Sequence, residues 1–234
     1  MQGEIVFFDC EADPTDQEQW GVQAERMQCT CACACSITPL VLFRGYCEGR
    51  DPQPSEIKRL TCWRDRVGED GGPPFERLLL EFDRASLICG YNVVKFDFPL
   101  IRRYYGSTKE GELRYMSHLS KTWDPIVYIN QVTGSFFKLS DLLRWNGLAQ
   151  KTASGEKAIQ MWQNGQRDEL ERYCRADVDL TAQLCCRKRL SIVMRGKLVT
   201  IPMPSVANGL SRTDDWKVEL GTPLSELTLR IAEP

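Results

Sequence analysis

The sequence predicts an α/β fold with helices covering both faces of a sheet, and three stretches carry that expectation. The first, "IVFFDCEAD" at 5–13, reads as a strand with Ile5, Phe7, Asp9 and Glu11 on one face and Val6, Phe8 and Cys10 on the other. Both faces begin apolar, which suits a strand covered on both sides. The second, "PPFERLLLEFDRASLICGYN", reads as a helix carrying Phe75, Leu78, Leu79 and Phe82 into a core, followed by a short apolar strand. The third, "DELERYCRADVDLTAQLCCRKRL", predicts an amphipathic helix over about 168–190.

Each stretch also places a carboxylate where a packed fold resists one. Asp9 and Glu11 sit side by side at the end of the first strand. Buried carboxylates are costly unless paired, protonated or bound to a cation. A solvated strand end is the plain alternative. In "GYNVVKFDFPLIRRYYG", Pro99 fits the first turn of a helix running to Tyr105, with Gly106 as its stop. Asp97 precedes that proline by two residues. It suits an N-cap, and it also stands just beyond a predicted core strand, where active-site groups of open α/β sheets gather. On the third helix, Leu170, Cys174, Thr181, Leu184 and Cys185 form an apolar arc with Asp177 inside it. Asp179 falls on the opposite, polar side, with Arg172 and Arg175. Tyr173 lies one turn before Asp177.

Composition narrows the function classes. The 234 residues carry a formal charge of −2, so no whole-molecule field favours a polyanion or a membrane surface. Holding nucleic acid therefore calls for local basic groups or bound cations. No stretch has the apolar length of a membrane span, and the first residues lack a signal-peptide pattern. Eleven cysteines, an odd number in a long chain, suit reduced thiols and an intracellular protein whose compartment is not assigned.

The run "CTCACAC" reads as a strand with Cys29, Cys31, Cys33 and Cys35 on one face. Same-face residues lie roughly 6.5–7 Å apart along a strand. Tetrahedral zinc needs four ligands at about 2.3 Å, and C-x2-C spacing is absent. Core packing of small thiols is the expected role. The segments "EGRDPQPSE" (48–56) and "VGEDGGPP" (67–74) read as loops, with "IKRLTCWR" between them as a strand. No repeat or interdomain linker is evident.

Asp9, Glu11, Asp97 and Asp177 thus come from three separated segments. Hard oxygen ligands suit Mg²⁺ or Mn²⁺, and two such ions can serve a phosphodiester displacement. In chain order the motifs F-D-x-E, N-x3-F-D and Y-x3-D resemble those of the tyrosine branch of the DEDD 3′–5′ exonucleases. They appear here as "FFDCEAD", "GYNVVKFDFPLI" and "YCRADVDLT". The stretch from "KLSDLLRWNGLAQK" to the third motif is similar to the proofreading domain of family B DNA polymerases. The resemblance spans about residues 4–195, with a divergent patch around 36–74. It implies a ribonuclease H-like fold: a central mixed β-sheet flanked by α-helices.

The same resemblance implies roles. Asp9 would bridge two Mg²⁺ or Mn²⁺ ions, Glu11 and Asp177 would be further ligands, and Asp97 would hold the second ion partly through water. Tyr173 would position the attacking water, with a buried core aromatic as the alternative. Asn92 and Phe96 of the second motif, and Lys151 before the last helix, match positions near the substrate; Lys151 fits a solvated loop equally well. The one histidine, His118, has no aspartate five residues on, which excludes the histidine branch. The implied partner is single-stranded nucleic acid with a free 3′ end, DNA before RNA, without a membrane. Arg102, Arg103, Lys138 and Lys151 are candidate backbone contacts. An RNA-trimming enzyme and a non-catalytic nucleic-acid-binding protein are the alternatives. Residues 1–195 are expected to form the domain, with 196–234 an extension that matches nothing recognisable.

Overall fold

In a computed structural model that describes residues 3–14, 24, 27–42, 53–66, 72–204, 206 and 230–231, the first strand, β1 (Glu4–Pro14), is the centre of the molecule. It pairs antiparallel with β2 (Met27–Ile37), which pairs antiparallel with β3 (Lys58–Trp63). On its other side β1 pairs in parallel with β4 (Ala85–Cys89), which pairs in parallel with the two-residue β5 (Thr122–Trp123). The resulting mixed sheet has the order β3-β2-β1-β4-β5. This is the expected central mixed β-sheet.

Helices cover both faces, and β1 shows the expected parity. Ile5 and Phe7 enter one core with residues of α4 (Pro125–Thr133), α5 (Leu139–Trp145), α6 (Gly155–Gln163) and α7 (Arg167–Cys185). Val6, Phe8 and Cys10 enter the other, with α1 (Glu76–Arg84) and α2 (Asp97–Ile101). There Phe8 meets Phe82 and Phe98 edge-on, at centroid distances of 4.7 and 5.5 Å. Such pairs add to plain area burial. The α3 helix (Lys109–Ser120) closes this side, N-capped by the Thr108 side chain. It carries His118, which is buried between the Tyr105 hydroxyl and Asp83, at 2.8 Å from each.

Several expectations are corrected. The helix predicted to open on the prolines starts at Glu76, because Phe75 takes a left-handed conformation at its N-cap. Phe75 is nonetheless buried with Leu78, Leu79 and Phe82. The α2 helix ends at Ile101, and a 3-10 turn continues to Tyr105 before Gly106 stops it. The last helix ends at Cys185 rather than near 190. The segment "RLSIVM" instead forms β6 (Arg189–Met194), with alternating Leu190 and Ile192 in the core. A tight turn at Arg195–Gly196 joins it to β7 (Lys197–Pro202), and a two-residue β8 (Arg230–Ile231) pairs with β7.

The thiol face is also corrected. Residues Glu11 and Cys31 pair, but the next pair is Ala12 with Cys29, so a bulge absorbs Thr30. An extra residue reverses the alternation beyond it. Cys29 therefore packs with Cys10 and Cys62 on one side, while Cys31, Cys33 and Cys35 stay on the other. The Thr30 hydroxyl fastens the bulge by donating to the Glu11 carbonyl at 3.1 Å. Most of the loops expected at 48–56 and 67–74 lie outside the described residues. No helix among the described residues is long and apolar enough to cross a membrane.

Candidate active site

The end of β1, the turn 91–97, the start of α6 and the middle of α7 enclose a cleft of about 750 Å³. All eight residues named from the sequence line it: Asp9, Glu11, Asn92, Phe96, Asp97, Lys151, Tyr173 and Asp177. Arg102, Arg103 and Lys138 do not. Arg102 instead pairs with Glu112 and stacks on Tyr115, and Arg103 donates to the Met27 carbonyl at 3.0 Å.

Each acid is placed by local structure. Asp9 and Glu11 share a β1 face, opposite Cys33 and Cys31 of β2. Asp97 is not an N-cap by its side chain; it accepts from the Cys10 backbone N–H at 2.7 Å, which ties α2 to β1. Asp177 faces the sheet at 1% exposure, as its helical phase requires. Its Oδ2 accepts from Lys151 Nζ at 2.6 Å, so Lys151 is no free loop residue. Its Oδ1 is buried without a hydrogen-bond partner among the described residues. Asp179, on the far side, pairs with Arg59 at 2.8 Å.

The electrostatics are those of acids crowded beyond what one lysine offsets. Burial, and then the charges of Glu11, Asp97 and Asp177, push the Asp9 carboxyl well above its ordinary range. Burial and the Asp177 charge raise Glu11 from 4.5 to about 8. Burial raises Asp97 to about 7 against the pull of the Cys10 N–H. Asp177 is raised by burial, although Lys151 and the Tyr173 hydroxyl hold it down. Burial disfavours the Lys151 ammonium, but the surrounding acids win and raise its pKa. Tyr173 is raised by burial and the same acids, so its hydroxyl stays protonated.

These observations test the fit of a divalent cation. The donors are carboxylate oxygens, hard ligands suited to Mg²⁺ or Mn²⁺. Donor atoms of Asp9 and Glu11 lie within 4.8 Å of each other and of Cys174 Sγ, and Asp97 and Asp177 line the same cleft. Added positive charge would relieve every raised carboxyl and give Asp177 Oδ1 a partner. The residues fit.

A stability consequence follows. Metal-free, the native state holds protons on Glu11 and Asp97 that the unfolded chain releases, Glu11 between 4.5 and about 8. Stability falls wherever the native state binds more protons as pH rises. His118, lowered by burial, acts in the opposite sense as a single group. In chelator the protein is expected to melt a few degrees lower at about pH 8 than at about pH 5.5. Mn²⁺ at the higher pH should restore the loss. Calorimetry showing the opposite slope would remove the acid cluster as the cause.

Two groups escape a reading of the sequence alone. Asp124 N-caps α4 and accepts from Asn92 N at 2.9 Å and Val94 N at 3.1 Å, and so shapes the turn that presents Phe96 and Asp97. Its signal was local: an Asp directly before Pro125 at a helix start. Cys174, adjacent to Tyr173, points its thiol at the Asp9 carbonyl, 3.4 Å away. Nothing in a single sequence marks it. The same turn requires Gly90, where a Cβ would sit 2.1 Å from Val93 Cγ1 and 2.8 Å from the Phe8 carbonyl. Gly90→Ala is expected to destabilise the fold by about 2 kcal/mol, within the range of core overpacking. Urea unfolding would measure it, and an unchanged midpoint would count against this close approach.

No family model and no curated protein matches the chain. Among solved structures it is similar to the family B DNA polymerase from the hyperthermophilic archaeon Pyrobaculum calidifontis, at 17% identity and a TM-score of 0.48. That match covers 78% of this chain and 24% of the polymerase. It is also similar to E. coli exonuclease I in complex with a 5cy-dT13 oligonucleotide, at 13% identity and a TM-score of 0.38, over 86% of this chain and 54% of that one. A further exonuclease I structure matches at 11% identity and a TM-score of 0.41, over 86% and 55%. The chain thus spans about a quarter of the polymerase and little more than half of exonuclease I.

Proposed function

We propose that the chain is a metal-dependent 3′–5′ exonuclease that hydrolyses phosphodiester bonds of single-stranded nucleic acid, DNA in the first place, and releases nucleoside 5′-monophosphates. The observation that carries this reading is Asp177, whose Oδ1 is buried without a hydrogen-bond partner among the described residues, in a cleft shared with Asp9, Glu11 and Asp97. Unneeded buried acids destabilise, so a fold that keeps four together needs them for something. This argues against a purely structural or non-catalytic protein.

Asp9, Glu11, Asp97 and Asp177 would hold two Mg²⁺ or Mn²⁺ ions. Such ions, when bound, stabilise charge on the attacking and leaving oxygens of a phosphodiester displacement. Asp9 feels the charges of the other three acids, which suits the shared ligand. The Cys10 N–H fixes one oxygen of Asp97, which lines the cleft. Tyr173 keeps its proton, so its hydroxyl can orient water without becoming a ligand itself. Lys151 holds Asp177 and adds positive charge for a phosphate. Asn92 and Phe96, presented by the Asp124-braced turn, would meet the 3′-terminal nucleotide. We assign the nuclease domain to residues 1–195 and treat 196–234 as an extension; of its described residues, Val199, Ile201, Met203 and Val206 lie in the same core.

The test is to incubate the protein with 5′-labelled single-stranded DNA or RNA and Mg²⁺ or Mn²⁺. A ladder of shortened labelled products is expected, faster on DNA and absent in excess chelator. Single strands should outrun blunt duplex, because duplex ends must fray at a few kcal/mol. Activity that survives the chelator, or faster cleavage of blunt duplex, would overturn the proposal.

A further inference from the structure

We propose that Cys31, Cys33 and Cys174 form a second metal site, for a thiophilic cation of the zinc class, behind the acidic cleft. The inference does not depend on the nuclease reading. One strand cannot close such a site, but the fold brings a third sulfur from another element. Cys31 Sγ and Cys33 Sγ on β2 are 3.9 Å apart, closer than their spacing along the strand because the side chains converge. Cys174 Sγ, on α7, joins them, and all three sulfurs lie within 4.8 Å of one another. Zn–S bonds of about 2.3 Å set the sulfur–sulfur edge of a tetrahedron at about 3.8 Å. The β2 pair already has that spacing, and Cys174 needs to move by no more than about 1 Å.

The surroundings suit thiolates. All three cysteines have no exposed surface, and soft sulfur ligands select zinc-class ions over Mg²⁺. Cys33 Sγ lies 3.7 Å from the Thr61 hydroxyl, which accepts from Arg175 Nε at 3.2 Å and Nη2 at 3.0 Å. Arg175 in turn pairs with Glu171 at 2.6 Å, and Glu171 accepts from the Thr61 hydroxyl at 2.9 Å, so this polar network orders the edge of the site without bringing net charge to it. The three sulfurs supply three corners of the tetrahedron, and a small exogenous ligand would fill the fourth; Asp9 Oδ2, 3.9 Å from Cys174 Sγ, belongs to the acidic cleft. A metal bound there clamps α7 to the sheet. Because the thiols are enclosed, it enters as the chain folds.

The test uses the full chain refolded with one equivalent of Co²⁺. Wild type should show thiolate-to-cobalt charge-transfer absorption and the visible bands of a tetrahedral site, and zinc should bleach both. Cys33→Ala and Cys174→Ala should each remove the charge-transfer absorption. Cys35→Ala, on the same strand face but outside the trio, should keep it. Absence of that absorption in wild type, or its persistence in both variants, would overturn the site. Should the variants not fold, cadmium NMR of wild type decides. A resonance in the sulfur-rich range supports the site, and one in the oxygen-only range, or none, refutes it.

Discussion

Asp9→Asn is expected to reduce hydrolysis by about 10³-fold or more while raising the melting temperature of the metal-free protein. The two effects share one cause. Asp9 is crowded by Glu11, Asp97 and Asp177, so removing its charge relieves repulsion that only a bound cation would otherwise offset. The amide keeps the shape of the carboxyl but is a poor ligand for a hard cation. Asp177→Asn should lose as much activity and behave oppositely in melting. It would leave Lys151, drawn 2.6 Å from Asp177 Oδ2, without its direct partner in a partly buried place. Breaking such a pair is more costly than the pair's own worth. Asp179→Ala is the control: its exposed pair with Arg59 contributes at most about 1 kcal/mol, and most activity should remain. The measurements are turnover on labelled single-stranded DNA at saturating Mn²⁺ and melting in chelator. Normal turnover by Asp9→Asn would end the proposed chemistry.

What could be read from the sequence was set by short-range periodicity. The alternation in "IVFFDCEAD" placed Ile5 and Phe7 in one core and Val6 and Phe8 in the other, because a central strand buried on both faces leaves no freedom of register. The helical phase that put Asp177 inward and Asp179 outward held for the same reason. What escaped depends on pairing between distant segments. The bulge at Thr30 turns Cys29 away from Cys31, yet it exists only in the register of β2 against β1. The helix at 168–190 ran too long because "RLSIVM" has no breaker before it, and its strand state comes from pairing with β7. Helices α3, α4, α5 and α6 and the two-residue β5 escape the sequence because tertiary packing rather than propensity holds them. Lys151 was ambiguous because nothing local reveals that a loop residue reaches Asp177, 26 positions later.

Tyr173→Phe separates a hydroxyl that serves the reaction from a ring that serves the core. Tyr173 is 3% exposed and packs in the core beside Cys174 and Leu170, so the ring is structural in either case. Phenylalanine keeps that ring. The hydroxyl faces the acids, and the Lys151 ammonium stands 5.5 Å from the ring centroid. If the hydroxyl orients the attacking water, its removal should lower turnover by about 10²-fold, the lower end of what positioned proton-handling groups contribute. The loss should be smaller than that of Asp9→Asn, because the ligand set remains complete. Metal affinity should change little, apart from a slight rise in the Asp177 pKa once the hydroxyl no longer holds it down. The comparison is turnover at saturating metal and DNA, with Mn²⁺ affinity and melting temperature measured on the same samples. A slow variant with both of the latter unchanged assigns the hydroxyl to the reaction. A variant as fast as wild type leaves Tyr173 as a packed aromatic, and the water must then be held by the acids alone.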